Sequence, residues 1–280
     1  MTGNRTNSVM NSSLWVFYGK TKFSEYIVIK QMSVFLRSLK DLFFPPVCVS
    51  CRSCVVDSQK SPIGLLCQRC CIELRGNLSE WADRCRCCGF PLTVLKYRET
   101  QVSFGCLECR KWGFQFAGTV CLGSYEGRLQ QLVLRAKSGS GAPIAYALGQ
   151  AIGGVLNPTR IEVVVPVPVH WRRRVKKQQH TAAVIAKGLH SAIPRRVMLK
   201  PEILRASRMT HKQGTLSPQQ RRVNVRDAFE VSQPDAVKGK NILVVDDVMT
   251  TGATVHEITT LLLKAQAQSV SVAVICRAGD

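Results

Sequence analysis

The stretch from Asn241 to Thr254 reads NILVVDDVMTTGAT. It opens with four apolar residues, Ile242 to Val245, without polar alternation, which suits a strand buried on both faces of a parallel sheet. After Thr254, Val255, Ile258, Leu262 and Ala265 recur at helical spacing and predict an amphipathic helix. Thr250 to Thr254 is therefore expected to be a strand-to-helix loop, with Asp246 and Asp247 at the strand's tip. Parallel strands need crossover connections, so this stretch demands a layered α/β sheet around it.

The chemistry of the loop follows from its position. Free backbone N–H groups and the positive dipole end at a helix N-terminus attract a phosphate. Gly252 permits close backbone approach, and Thr250, Thr251 and Thr254 add hydroxyl donors. Carboxylates repel a phosphate, but one step away Asp246 and Asp247 can accept hydrogen bonds from vicinal hydroxyls. A ribose 5-phosphate satisfies both halves. The plainer alternative is that Asp and Thr merely end a strand and cap a helix. It accounts for Asp-Asp alone, and less well for the whole run of strand, carboxylates, threonines, glycine and helix.

From Phe116 onward strand and helix patterns alternate. Thr119 to Tyr125 reads as a strand, and Leu129, Leu132, Val133 and Ala136 form one face of a helix. Lys137 to Gly141 breaks the chain, Ala145 to Leu156 is a second helix, and Ile161 to Val165 is another uninterrupted apolar strand before Pro166-Val167-Pro168. Ala182 to Leu189 is a crossover helix. The fold class is α/β, a parallel sheet with flanking helices, in which ligands bind at the carboxyl ends of strands. Pro168 to His180 lies at such an end and carries Arg172, Arg173, Arg174, Lys176, Lys177 and His180, cations that suit pyrophosphate as well as a solvated face. Arg205 to Arg226 is too polar and too long for a simple connection and is expected to be a lid over the substrate. His170 and His211 lie in these two loops, whereas His190 and His256 read as helix residues without a chemical role.

Cysteine dominates the chain before Phe116. No secretory signal accompanies the 13 cysteines, so their spacing is read as metal binding rather than as a disulfide framework. Four C-x-x-C pairs occur: Cys48/Cys51, Cys67/Cys70, Cys85/Cys88 and Cys106/Cys109. Fifteen residues separate the first two pairs and seventeen the last two, which repeats a four-cysteine zinc pattern twice. Four thiolates close a tetrahedral site with no open position, so these ions are structural. Cys54, Cys71 and Cys87 are alternative ligands. An interleaved pairing is a further alternative, although consecutive ribbons need less loop closure. A dithiol switch is disfavoured, because that motif comes singly beside a βαβ unit. Cys121 and Cys276 lie in apolar strands and are expected in the core.

Formal net charge is +21, lowered by about four if eight thiolates hold two zinc ions. Between Arg160 and Arg226 there are 16 Lys or Arg against Glu162 and Glu202, a local excess of +14. Such a concentration suits nucleic acid or a small polyanion in a basic pocket. No apolar stretch reaches the roughly 18 to 20 residues that span a bilayer, so a soluble, cytoplasmic protein is expected. The division predicted is a poorly ordered extension over 1–31, a short helix over 32–46 ending at Pro45-Pro46, a cysteine module over 47–115 and the α/β domain over 116–280.

Val244 to Thr254 resembles the phosphoribosyl-pyrophosphate (PRPP) signature of type I phosphoribosyltransferases. Further landmarks extend the resemblance from Met32 to the C-terminus: Phe43-Phe44-Pro45-Pro46-Val47-Cys48, the cysteine pairs, Val165-Pro166-Val167-Pro168-Val169-His170, Gln213 with Leu216-Ser217, and Arg221-Arg222-Val223-Asn224-Val225 with Ala228-Phe229. Together they are similar to the ComF family, a double zinc ribbon followed by a type I phosphoribosyltransferase domain, associated with competence for DNA uptake. The resemblance implies PRPP with Mg2+ as ligand. Asp246 and Asp247 would take the ribose hydroxyls, Val248, Met249, Thr250, Thr251, Gly252, Ala253 and Thr254 would form the 5-phosphate segment, and Lys177, Arg173 and Arg174 would meet pyrophosphate. It further implies single-stranded DNA or a DNA-uptake helicase as partner. Where family members carry Arg-Gly-Phe-Asn-Gln, this chain has Lys177-Gln178-Gln179-His180-Thr181, keeping a basic residue and losing the glycine. Neither a glutaminase domain nor an N-terminal catalytic cysteine is seen, so glutamine-dependent transfer is not expected.

Overall fold

The computed structural model describes residues 47–53, 63, 65–76, 84–92, 105–170, 180–210 and 216–279. The extension and helix expected over 1–46, together with Cys54, His211 and the basic loop at 171–179, lie outside the described residues. In chain order the elements begin with α1 (Gln68–Gly76), α2 (Leu107–Trp112), β1 (Thr119–Ser124), α3 (Gly127–Ala136), α4 (Ala142–Gly153), β2 (Val163–Pro166), α5 (Thr181–Ser191) and β3 (Met198–Leu199). There follow β4 (Leu204–Ala206), α6 (Pro218–Val225), β5 (Phe229–Val231), β6 (Asn241–Met249), α7 (Ala253–Lys264) and β7 (Ser269–Arg277).

Five strands form one parallel sheet in the order β1-β7-β6-β2-β3. The apolar runs of β2, β6 and β7 fill both of its faces, as a parallel sheet covered by helices requires. Side chains alternate strictly across β6. Leu243 and Val245 join a buried cluster with Leu129, Leu148 and Ile185 of α3, α4 and α5, whereas Ile242 and Val244 join another with Ile258 and Leu262 of α7. The cysteine segments divide in the same way: Cys48, Ile63, Leu66 and Cys70 pack into the first cluster, and Cys85, Cys88, Phe90 and Cys109 into the second. Cys121 and Cys276 are fully buried in β1 and β7, as expected of core residues. On the first face α4 and α5 cross in backbone contact. A Cβ at Gly149 would strike Ile185 O, and one at Gly188 would strike Tyr146 O.

Two expectations need correction. The strand does not end at Val245: β6 runs on through Asp246 and Asp247 to Met249, because β7 continues beside it with Asp246 opposite Val274 and Met249 opposite Arg277. Ladder pairing is made by the backbone and tolerates the carboxylates where they face open space. Nor is Arg205 to Arg226 a single loop. It begins in β4, which pairs antiparallel with β5, and ends in α6. Ser217 and Gln220 open that helix with a reciprocal capping box, Gln220 N donating to Ser217 Oγ at 3.3 Å and Ser217 N to Gln220 Oε1 at 2.9 Å, a spacing legible in the sequence. No described helix is long and apolar enough to cross a membrane.

Candidate functional site

The chain runs from β2 outward to β3, then returns to β6 and continues to β7 on the other side, so strand order reverses between β2 and β6. Open α/β sheets hold ligands in the crevice at such a reversal, beyond the carboxyl ends of the strands. Here β2 ends at Pro166, and after Val167 N donates to Val245 O at 2.8 Å the two chains part. Asp246 to Met249 therefore project past β2. A cavity of about 630 Å³ fills the gap, lined by Val167 to His170 on one side and by Asp246 to Thr250 and Gly252 to Val255 on the other. Tyr125, Lys137, Arg208, Thr210 and Phe229 are among the other residues of its wall.

The carboxylates are partly buried and adjacent. Burial, and next the charge of Asp247, push the Asp246 carboxyl up to about 7, against a hydrogen bond from Asp247 N to Asp246 Oδ1 at 2.8 Å. Lys137, the residue that follows α3, brings its Nζ to 3.1 Å from Asp247 Oδ1. Desolvation alone would lower the titration of this ammonium, but the charges of Asp247 and Asp246 hold it above the ordinary lysine value. Sequence reasoning took Lys137 for the start of a chain break. Its only local signal was a cation directly after an amphipathic helix.

The turn into α7 separates the roles of its residues. Gly252 has φ 76°, a conformation that L side chains resist, and an added Cβ would stand 2.9 Å from the Phe114 ring. The glycine is thus required by packing beneath the turn, whereas the sequence suggested only close approach of a ligand. Helix α7 starts at Ala253, so Ala253 and Thr254 belong to its first turn rather than to a loop. Thr250 and Thr254 line the cavity. Thr251 is buried and its Oγ1 accepts from Ala253 N at 3.4 Å, so its hydroxyl serves the helix start. Val248 and Met249 contribute to the lining. Opposite, His180 Nε2 lies 2.8 Å from Val167 O, tying the start of α5 to the segment that leaves β2. Lys177, Arg173 and Arg174 lie outside the described residues.

The cysteines form two groups, Cys48/Cys51/Cys67/Cys70 and Cys85/Cys88/Cys106/Cys109, with the sulfurs of each within 4.8 Å of one another. Four sulfurs about 2.3 Å from one zinc ion stand about 3.8 Å apart at tetrahedral angles. Cys51 and Cys67 are 3.8 Å apart, Cys85 and Cys109 3.6 Å, and Cys88 and Cys106 3.6 Å. The donor sets therefore fit zinc, paired consecutively rather than interleaved. Cys71 and Cys87 stand outside the groups, Cys87 Sγ lying 3.7 Å from Phe116 O. Around the first group Arg128 Nη2 donates to Cys70 Sγ at 2.8 Å, and Arg135 donates to Ser50 O and Val49 O at 3.0 and 2.8 Å. Both arginines project from α3, so that knuckle is fastened to the sheet's own helix layer.

A family model described as a phosphoribosyl transferase domain matches residues 180–280. DNA utilization protein YhgH of Escherichia coli O157:H7 is 30% identical over 207 residues, covering 69% of this chain and 83% of that protein. Its counterpart in Salmonella typhimurium LT2 is 29% identical over 250 residues, covering 84% of this chain and 99% of that protein. Competence protein F of Haemophilus influenzae is 28% identical over 118 residues, 42% of this chain and 51% of that one. Among solved structures, a glutamine PRPP amidotransferase from B. subtilis overlaps 51% of this chain and 30% of its own, with 20% identity and a TM-score of 0.35, too slight a likeness to build on. With a phosphoribosyl transferase domain behind two zinc-type cysteine groups, the chain belongs to the ComF family, alongside DNA utilization protein YhgH and competence protein F.

Proposed function

We propose that the protein binds PRPP in the cavity between β2 and β6 and transfers its phosphoribosyl group to an acceptor. One juxtaposition carries this reading: a partly buried carboxylate pair and a helix N-terminus line the same cavity at the switch point of a parallel sheet. Asp246 and Asp247 accept hydrogen bonds from the ribose hydroxyls. Thr250, Thr254 and the backbone from Thr251 to Ala253 hold the 5-phosphate. Lys177, Arg173 and Arg174 belong to pyrophosphate, and Lys137, 3.1 Å from Asp247 Oδ1, holds that carboxylate in place at the cavity wall. Mg2+ arriving with PRPP suits oxygen donors of this kind and would neutralise pyrophosphate charge. In transfer, the bond from the anomeric carbon to pyrophosphate oxygen breaks and its electron pair leaves with pyrophosphate, while an acceptor lone pair forms the new bond. The carbon passes through oxocarbenium character, so the protein contributes positioning and anionic surroundings.

The test is pyrophosphate release from PRPP across a panel of nucleobases. Acceptor-dependent release that disappears in Asp246→Asn/Asp247→Asn is expected. Binding of PRPP without release for any acceptor would reduce the site to a sensor. That second reading, a nucleic-acid or protein-binding factor in DNA uptake that retains the PRPP fold, draws support from the +14 excess between Arg160 and Arg226 and from relatives named for DNA utilization and competence. Single-stranded DNA or a DNA-uptake helicase is its partner, and a steep fall of DNA affinity with salt would favour it. Both readings assign the protein to the cytoplasm.

A further inference from the structure

Arg277 closes β7 and is only 4% exposed. Its Nε donates to Cys88 O at 3.1 Å, and its Nη1 donates to Met249 O at 3.1 Å and also to Thr250 O. The guanidinium lies 5.2 Å from the Phe90 ring centroid. A guanidinium does not shed its proton, so burying it requires acceptors in a fixed fork. Besides the neighbouring Ala278 O, those acceptors come from two places the sequence keeps far apart: a knuckle of the second cysteine group, and the residues that lead into the phosphate turn. A second link leaves the same group from its other end. Gly113 N donates to Cys109 O at 2.8 Å, and the adjacent Phe114 sets its ring beneath Gly252. The turn is thus held by Cys88 through Arg277 and by Cys109 through Phe114. The first group instead fastens to α3.

We propose that metal at Cys85/Cys88/Cys106/Cys109 and phosphate at Thr250 to Thr254 bind cooperatively, with Arg277 the positioning residue between them. The inference rests on the reading that a 5-phosphate occupies that turn. Phosphate favours one arrangement of the Met249 and Thr250 peptides, that arrangement fixes the Arg277 fork, and the fork holds Cys88 in place for the ion. Linkage makes the effect reciprocal, so a phosphate ligand retards loss of the second ion.

The experiment is cysteine alkylation of the zinc-loaded protein, resolved by peptide mapping, with ribose 5-phosphate as the probe. Saturating ribose 5-phosphate is expected to slow modification of Cys85, Cys88, Cys106 and Cys109 by about fivefold or more and to leave Cys48, Cys51, Cys67 and Cys70 unchanged. In Arg277→Lys, which keeps the charge and loses the fork, that protection disappears while the first group still reacts at the wild-type rate. Equal protection of both groups, or protection that survives in Arg277→Lys, overturns the proposal. Should the variant not fold, the asymmetry between the groups in the wild-type protein decides alone. Calorimetry of ribose 5-phosphate on the wild type separates the two layers: absence of binding defeats the phosphate-site reading itself, whereas binding without selective protection defeats only the coupling.

Discussion

The cysteine groups and the Asp246–Asp247 pair are both concentrations of potential anions, and they reach stability in opposite ways. Each cysteine group places four sulfurs at the spacing of a tetrahedron, so one ion satisfies all four and leaves nothing open. Among the described residues the carboxylates have Lys137 at 3.1 Å from Asp247, and both line a cavity. Burial, and next the charge of Asp247, make Asp246 hold its proton to about 7. A closed donor set holds a fold together, whereas an open one, kept at a cost in electrostatic energy, is where a ligand completes the structure.

The contrast is broken most forcefully from the closed side. Structural zinc contributes on the order of 10 kcal/mol or more in small modules, so Cys109→Ser or exhaustive chelation is expected to lower the melting temperature by roughly 10 °C or more. A scan unchanged by chelator would show that the groups do not hold the fold. Next comes Gly252→Ala. A non-glycine residue in the left-handed region costs about 1–2 kcal/mol, and Phe114 must also move, so a loss of about 2–3 kcal/mol is expected from denaturant midpoints at unchanged slope. A neutral result would remove the case for Phe114 as the floor of the turn.

The open side gives smaller effects with a definite sign. Folded Asp246 keeps its proton to about 7, whereas in the unfolded chain it ionises near 4. The folded state therefore binds more protons between those values, and this group makes stability fall as pH rises through that window. Asp246→Asn removes the fall, so the variant should gain about 2–4 °C on the wild type at pH 8 and nothing at pH 4. A variant less stable than wild type at pH 8 would mean the pair is not under strain. Smallest is Lys137→Met. Its partly exposed ion pair is worth no more than about 1 kcal/mol, but its loss removes a charge that lowers Asp246, moving the falling limb to higher pH in the same melts.

Local pattern accounts for much of this molecule. Ile242 to Val245, the helix faces of α3 and α7, and the eight cysteines of the two groups were legible because each depends on neighbours in sequence, whereas the capping box at Ser217 and Gln220 went unread inside the expected lid. Loop closure favoured consecutive pairing of the cysteines but left the interleaved one open, and the grouping of the sulfurs decides between them. What escaped depends on contacts between distant segments. The extension of β6 through two carboxylates needs β7 alongside. Lys137 reaches Asp247 only once α3 has packed on the sheet. Arg277 and Phe114 belong to no local pattern that would single them out, yet both support the turn at Gly252. Thr251 looked equivalent to Thr250 and Thr254 until the start of α7 fixed which hydroxyls face the cavity.

The central claim, that the open carboxylates are completed by a phosphoribosyl ligand, is met most directly by isothermal titration calorimetry of PRPP with Mg2+ at pH 8, comparing the wild-type protein with Asp246→Asn/Asp247→Asn. The wild type should bind one PRPP per chain. The variant, zinc-loaded and melting cooperatively, should bind at least about tenfold more weakly, because two charge-assisted hydrogen-bond acceptors have become neutral amides. Equal affinity in the two proteins would contradict the account.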